Sequence, residues 1–112
     1  MPTEGLAAKH CVPCKGGTPA LKGEELKSYA VQVPHWTVVQ EHHLERVFKF
    51  ADFVTALAMV NRIGTLAEAE GHHPDIELGW GRVAVKIFTH KVEGLSESDF
   101  VLAAKIDALP SH

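Results

Sequence analysis

Over residues 22–33 the apolar positions Leu26, Tyr29, Ala30 and Val33 return at helical spacing, and Pro34 closes the run. The period then changes. Residues 35–41 and 44–50 read as two strands of a hairpin, the second setting Leu44, Arg46, Phe48 and Phe50 against Glu45, Val47 and Lys49, with His42 and His43 at the join. Asp52 opens a long helical stretch whose face is predicted to carry Phe53, Leu57, Val60, Gly64 and Ala67, widened by Ala56 and Ile63; Gly71 is its C-terminal cap. A second hairpin follows, residues 76–80 and 82–90 around a turn at 79–81, with Val83, Val85, Ile87 and Thr89 on one face. Ser96 and Asp99 have capping-box spacing ahead of a last helix, residues 100–109, which Pro110 ends.

The order α-β-β-α-β-β-α predicts an α+β fold: a single four-stranded antiparallel sheet with three helices packed on one face. Residues 1–20, interrupted by Pro13, Gly16, Gly17 and Pro19, read as a flexible N-terminal extension, and 21–112 as the folded domain. The last helix carries Phe100, Val101, Leu102, Ala103, Ala104, Ile106, Ala108 and Leu109, more apolar surface than one sheet face covers. A subunit interface is its simplest sink, so a homodimer or homotetramer is expected.

Composition narrows the function. With 112 residues, 46% hydrophobic and 22% charged, the chain suits one folded domain. A formal charge of −3, with Lys and Arg scattered, argues against direct nucleic-acid binding. No stretch has the length of a membrane span and the start lacks a signal peptide's apolar segment, so a cytoplasmic protein is expected. Cys11 and Cys14 form a C-x-x-C with His10 beside it, but no second cysteine pair completes a zinc site; a reduced pair in a surface segment is the plainer reading.

Titratable groups gather where the long helix stops, in Glu68-Ala69-Glu70-Gly71-His72-His73-Pro74-Asp75. Pro74 disfavours helical geometry at His73, so the two imidazoles are presented from a corner. Histidine changes charge near neutral pH, which lets one ring act as base and another as acid. His42-His43 is a second doublet without such bracketing, and serves as a control pair.

Glu68-x-x-x-His72-His73-Pro74, then Trp80, Thr89-His90 and Asp99, resembles the signature of the pterin-4a-carbinolamine dehydratases. Trp36, Phe48-Lys49-Phe50, Asp52-Phe53 and Gly94-Leu95-Ser96 are similar too, so the likeness runs over roughly residues 22–107. It implies a lyase that converts a 4a-hydroxytetrahydropterin into a quinonoid dihydropterin plus water, within tetrahydrobiopterin recycling. It implies no metal and no cofactor. His72, His73 and His90 match the histidines that bind the pterin and move protons; Glu68, Gly71, Pro74, Trp80, Thr89 and Lys91 are the accompanying substrate-binding candidates. Asp99 belongs to the pattern, yet the capping box explains it structurally. Thr89 suits either a substrate contact or the core edge, and Trp80 either a pterin wall or packing on the sheet.

The chain departs from the pattern at Ile76, where some members carry an aromatic, and at Phe88, where others have a small hydroxyl residue. Two other functions compete. One is a metalloenzyme using His72, His73, His90 and Glu68 as ligands, although neighbouring histidines seldom reach one ion. The other is a non-enzymatic interaction protein, in the manner of the transcriptional dimerisation cofactors that some animal relatives resemble.

Overall fold

A computed structural model describes residues 4–9 and 19–110. Cys11, Cys14 and His10 lie outside the described residues. The elements are α1 (Glu4–Ala7), α2 (Gly23–Ala30), β1 (Thr37–Val39), β2 (His43–Lys49), α3 (Phe53–Glu70), β3 (Asp75–Gly79), β4 (Arg82–Ile87), a 3-10 turn (His90–Val92) and α4 (Glu97–Asp107).

The four strands form one antiparallel sheet in the order β1-β2-β4-β3. Period-two alternation decides which side of it is dry. Leu44, Phe48, Val83, Val85 and Ile87 point to one face and are buried beneath the helices, while Glu45, Lys49 and Arg82 face outward. Arg46 is the polar exception on the inner face. It pairs with Asp107 at the end of α4, whose carboxylate also accepts from the Trp36 indole N–H at 2.8 Å.

The first hairpin is shorter than its pattern predicts. Gln40 and Glu41 adopt left-handed backbone, φ 52° and 54°, and His42 N–H closes a tight turn on the Val39 carbonyl at 2.8 Å. β1 therefore stops at Val39. β4 likewise stops at Ile87, because residues 89–94 fold back on themselves: Thr89 and Gly94 exchange backbone hydrogen bonds around the 3-10 turn.

α3 begins where expected. The Asp52 carboxylate accepts from the Thr55 amide at 2.9 Å, and that hydrogen bonding, side chain first, lowers its pKa. Gly71, at φ 67°, ends the helix. Its packing face is rotated from the centre of the predicted one: Ala56, Ile63 and Ala67 are buried as predicted and Met59 joins them, whereas Phe53 and Leu57 stay exposed, as does Val54. The reason is physical. A helix that is apolar around most of its circumference has no phase readable from its own pattern, and docking on β3 and β4 chooses one.

The apolar excess of α4 also finds its sink inside the chain. Phe100, Val101, Leu102, Ala103 and Ile106 are all buried in the shared core, with α4 packed against α1, α2 and α3. That corrects the basis for a subunit interface there. Tyr29 stacks on Phe100 with ring centroids 5.4 Å apart. Part of the amino-terminal extension is anchored: Leu6 is buried in the core, Lys9 pairs with Glu97 at 2.8 Å, and Lys105 Nζ donates to the Ala7 carbonyl at 2.8 Å. Among the described residues no helix is long and apolar enough to cross a membrane.

Candidate active site

Gly71 lets the chain leave α3 by a left-handed step, which an L side chain would resist, and His72 N–H still bonds back to the Ala67 carbonyl at 3.2 Å. His72 thus issues from a fixed corner. Pro74 follows, and β3 starts at Asp75. The role of Gly71 is conformational, since nothing lies within 4 Å of where its Cβ would be.

His72 Nε2 lies 2.6 Å from Oδ1 of Asp99, at the amino end of α4. The His72 side chain is 16% exposed and that of Asp99 is completely buried. Oδ2 of the same carboxylate accepts from the Thr89 hydroxyl and from the Ser96 amide, each at 2.8 Å, while the Ser96 hydroxyl lies 3.0 Å from Thr89 Oγ1. An ionised carboxylate only accepts, so the imidazole must present Nε2–H to it, and Nδ1 becomes the base of the neutral ring. Asp99 is therefore a cap for α4 and a brace for His72 at once. Spacing pointed to the cap alone, because the bond to His72 spans 27 residues. The only signal for it was the presence of Asp99 in the resembled signature.

His73 Nε2 is 2.6 Å from Glu68 Oε2, five residues earlier on the last turn of α3. Both side chains are mostly exposed, so the pair orients His73 more than it stabilises the chain. Among the described residues its other nitrogen, Nδ1, has no hydrogen-bond partner.

Thr89 spends its hydroxyl on Asp99, so it acts as a brace rather than as a free substrate donor. His90 opens the 3-10 turn directly after it and Lys91 follows, both exposed. The His90 ring rests against Phe88, centroids 4.3 Å apart, and Phe88 rests against His42 at 4.8 Å. His42 is thus linked to His90 through the one intervening ring of Phe88. Trp80 stands apart. It caps the β3–β4 hairpin, 73% exposed, at the end of the sheet away from His73. Four residues lie between Asp75 and it, five strand steps or roughly 17 Å. Within one chain it neither packs on the sheet nor reaches the histidines.

His72 and Thr89 are thus joined through Asp99, with His90 covalently next to Thr89 and His73 next to His72. Among the described residues, no group of three or more His, Cys, Asp or Glu side chains is placed to hold a metal ion.

Residues 19–109 match the family described as pterin 4 alpha carbinolamine dehydratase. The chain belongs to that family. It is 62% identical over 104 residues to a Rubrobacter xylanophilus protein named "Putative pterin-4-alpha-carbinolamine dehydratase", across 93% of this chain and 97% of that one. A protein of the same name from Alkaliphilus metalliredigens is 57% identical over 108 residues, covering 96% and 97% of the two chains. Among solved structures, the transcriptional coactivator/pterin dehydratase from Brucella melitensis superposes with a TM-score of 0.73 at 31% identity, over 79% of this chain and 95% of that one. Its likeness agrees with the α+β architecture described above.

Proposed function

We propose that this chain is a hydro-lyase that removes water from a 4a-hydroxytetrahydropterin, giving a quinonoid dihydropterin for recycling. The observation that carries the reading is the His72–Asp99 bond: a partly exposed imidazole fixed in one tautomer by a buried carboxylate that is itself held by Thr89 and Ser96. Family membership supplies the substrate class.

The chemistry needs two proton transfers and no net redox change. The C4a–O bond breaks as the leaving hydroxyl gains a proton, and a ring nitrogen loses one, so that water and the unsaturated pterin result. His72 offers Nδ1 as base and Asp99 as a counter-charge across one hydrogen bond. His90 serves the opposite end of the transfer, and His73, oriented by Glu68, binds and polarises the heterocycle. Gly71 and Pro74 shape the corner, Lys91 lies on the rim beside His90, and Trp80 takes part only if a second copy brings it to the site. The enzyme works in the cytoplasm as a homodimer or homotetramer; the exposed apolar side chains Phe53, Val54 and Leu57 of α3 favour association with another copy.

The test is direct. A 4a-hydroxytetrahydropterin is generated in solution and its loss of water followed by absorbance with and without the protein. Acceleration is expected, falling between about 10²- and 10⁴-fold in His72→Ala or His90→Ala with the circular dichroism unchanged. An unaccelerated reaction with intact wild-type protein would sink the proposal.

A further inference from the structure

We infer that His42, which lies outside the catalytic corner, is a positioning residue for His90 and acts on it through the ring of Phe88. The inference deepens the dehydratase reading and rests on it for the role of His90.

His90 needs an external hold. It is exposed on a 3-10 turn whose N-cap residue, Thr89, makes no side-chain capping bond, and Glu93 leaves that turn in left-handed backbone, φ 51°. Its imidazole rests against the Phe88 ring, 4.3 Å away at 51°. Phe88 is itself half-buried and also contacted by His42, 4.8 Å away at 37°, with Lys86 Nζ 5.7 Å from its centroid. A ring shift in Phe88 would therefore be passed to His90.

His42 is the braced end of this stack. Its Nδ1 is 3.1 Å from Nδ1 of His43, and Nε2 of His43 is 3.0 Å from Glu45 Oε2. The Glu45 carboxylate can only accept, so His43 donates from Nε2; a neutral His43 then has a bare Nδ1, and His42 must donate Nδ1–H to it. His43 is buried, which gives the array a fixed foot. The turn that delivers His42 puts two consecutive non-glycine residues, Gln40 and Glu41, in left-handed backbone, strain of the kind kept where a geometry matters. That turn is also locked to neighbouring structure, since the Glu41 carboxylate accepts from the Gly23 amide at 3.1 Å. Gly94, at the close of the His90 loop, lies beside the turn: a Cβ there would make an ordinary contact with the Glu41 carbonyl at 3.8 Å, its tight contact being with Ala20.

The experiment uses the full chain with labelled histidines, the His90 ring resonance being assigned by its disappearance in His90→Gln. His42→Ala should move that resonance toward the free-imidazole position and lower kcat about tenfold, a loss in the range that small misplacements cause, with KM little changed. His42→Phe, which keeps a stacking ring without the nitrogens, should recover most of both. Phe88→Leu, keeping bulk without an aromatic face, should move the resonance as His42→Ala does. The inference is overturned if His42→Ala leaves the His90 resonance in place, or if His42→Phe restores neither signal nor rate. Should wild-type protein show no dehydration, that reading fails alone, and the resonance still decides whether His42 sets the ring.

Discussion

One carboxylate oxygen of Asp99 receives His72 while the other receives the Thr89 hydroxyl and the Ser96 amide, so a single buried side chain joins the end of α3, the end of β4 and the start of α4. Asp99→Asn keeps the size but replaces an acceptor oxygen with a donor, which misdirects the His72 tautomer or breaks a cap bond. A fall in kcat of about 10²-fold or more is expected. Asp99→Ala should in addition lower stability by roughly 1–3 kcal/mol, because it strands buried donors. Stopped-flow rates and urea unfolding of both variants check this, and equal rates for Asn and wild type would remove Asp99 from the site.

The exposed pair gives a graded contrast. Glu68→Gln should reduce activity only a few-fold, since surface ion pairs contribute on the order of 0–1 kcal/mol. His73→Ala should raise KM more than it lowers kcat. Steady-state kinetics against pterin concentration separates the two effects.

Two glycines test backbone against crowding. Gly71→Ala meets no neighbour and should cost only the left-handed penalty, about 1–2 kcal/mol. Gly81→Ala carries the same penalty at φ 68° and also places a Cβ 2.8 Å from the Phe50 carbonyl. Chemical denaturation should rank Gly81→Ala as the worse.

Leu102 and Ile106 are core residues. Leu102→Ala should cost roughly 2–5 kcal/mol, and a charged residue there should unfold the chain instead of splitting an oligomer. Sedimentation run beside calorimetry distinguishes the outcomes; a folded, smaller species would restore α4 as an interface.

The anchoring of residues 6–9 should depend on pH with a defined sign. The Lys9 ammonium holds the Glu97 carboxyl below the ordinary 4.5, helped by the Tyr29 hydroxyl, so this contribution is present above 4.5 and lost as pH falls through the lowered value. Glu97 in turn raises Lys9 above 10.5, so that contribution is present below 10.5 and lost as pH rises through the raised value. Leu6 methyl resonances followed from neutral to acid pH should report release at the acid end, whereas Glu97→Gln should be loosened already at neutral pH and show no such acid step.

Local chemistry was legible in the chain. Asp52 and Gly71 mark the ends of α3 because caps involve neighbours in sequence, and the two hairpins follow from alternation. The His72-His73 corner was legible for the same reason. Contacts between distant segments were not: that Met59 is buried while Phe53 and Leu57 stay exposed depends on where the sheet lies, and the Phe88–His42 stack on how two loops meet. Trp80 shares a signature with the histidines, but strand length carries it away from them.

The capping of α4 has a last consequence. Because one carboxylate secures both that helix and the imidazole, a tilt of the helix becomes a rotation of the ring, and heat cannot loosen one while sparing the other. Inactivation on warming should coincide with the cooperative melting of the whole chain.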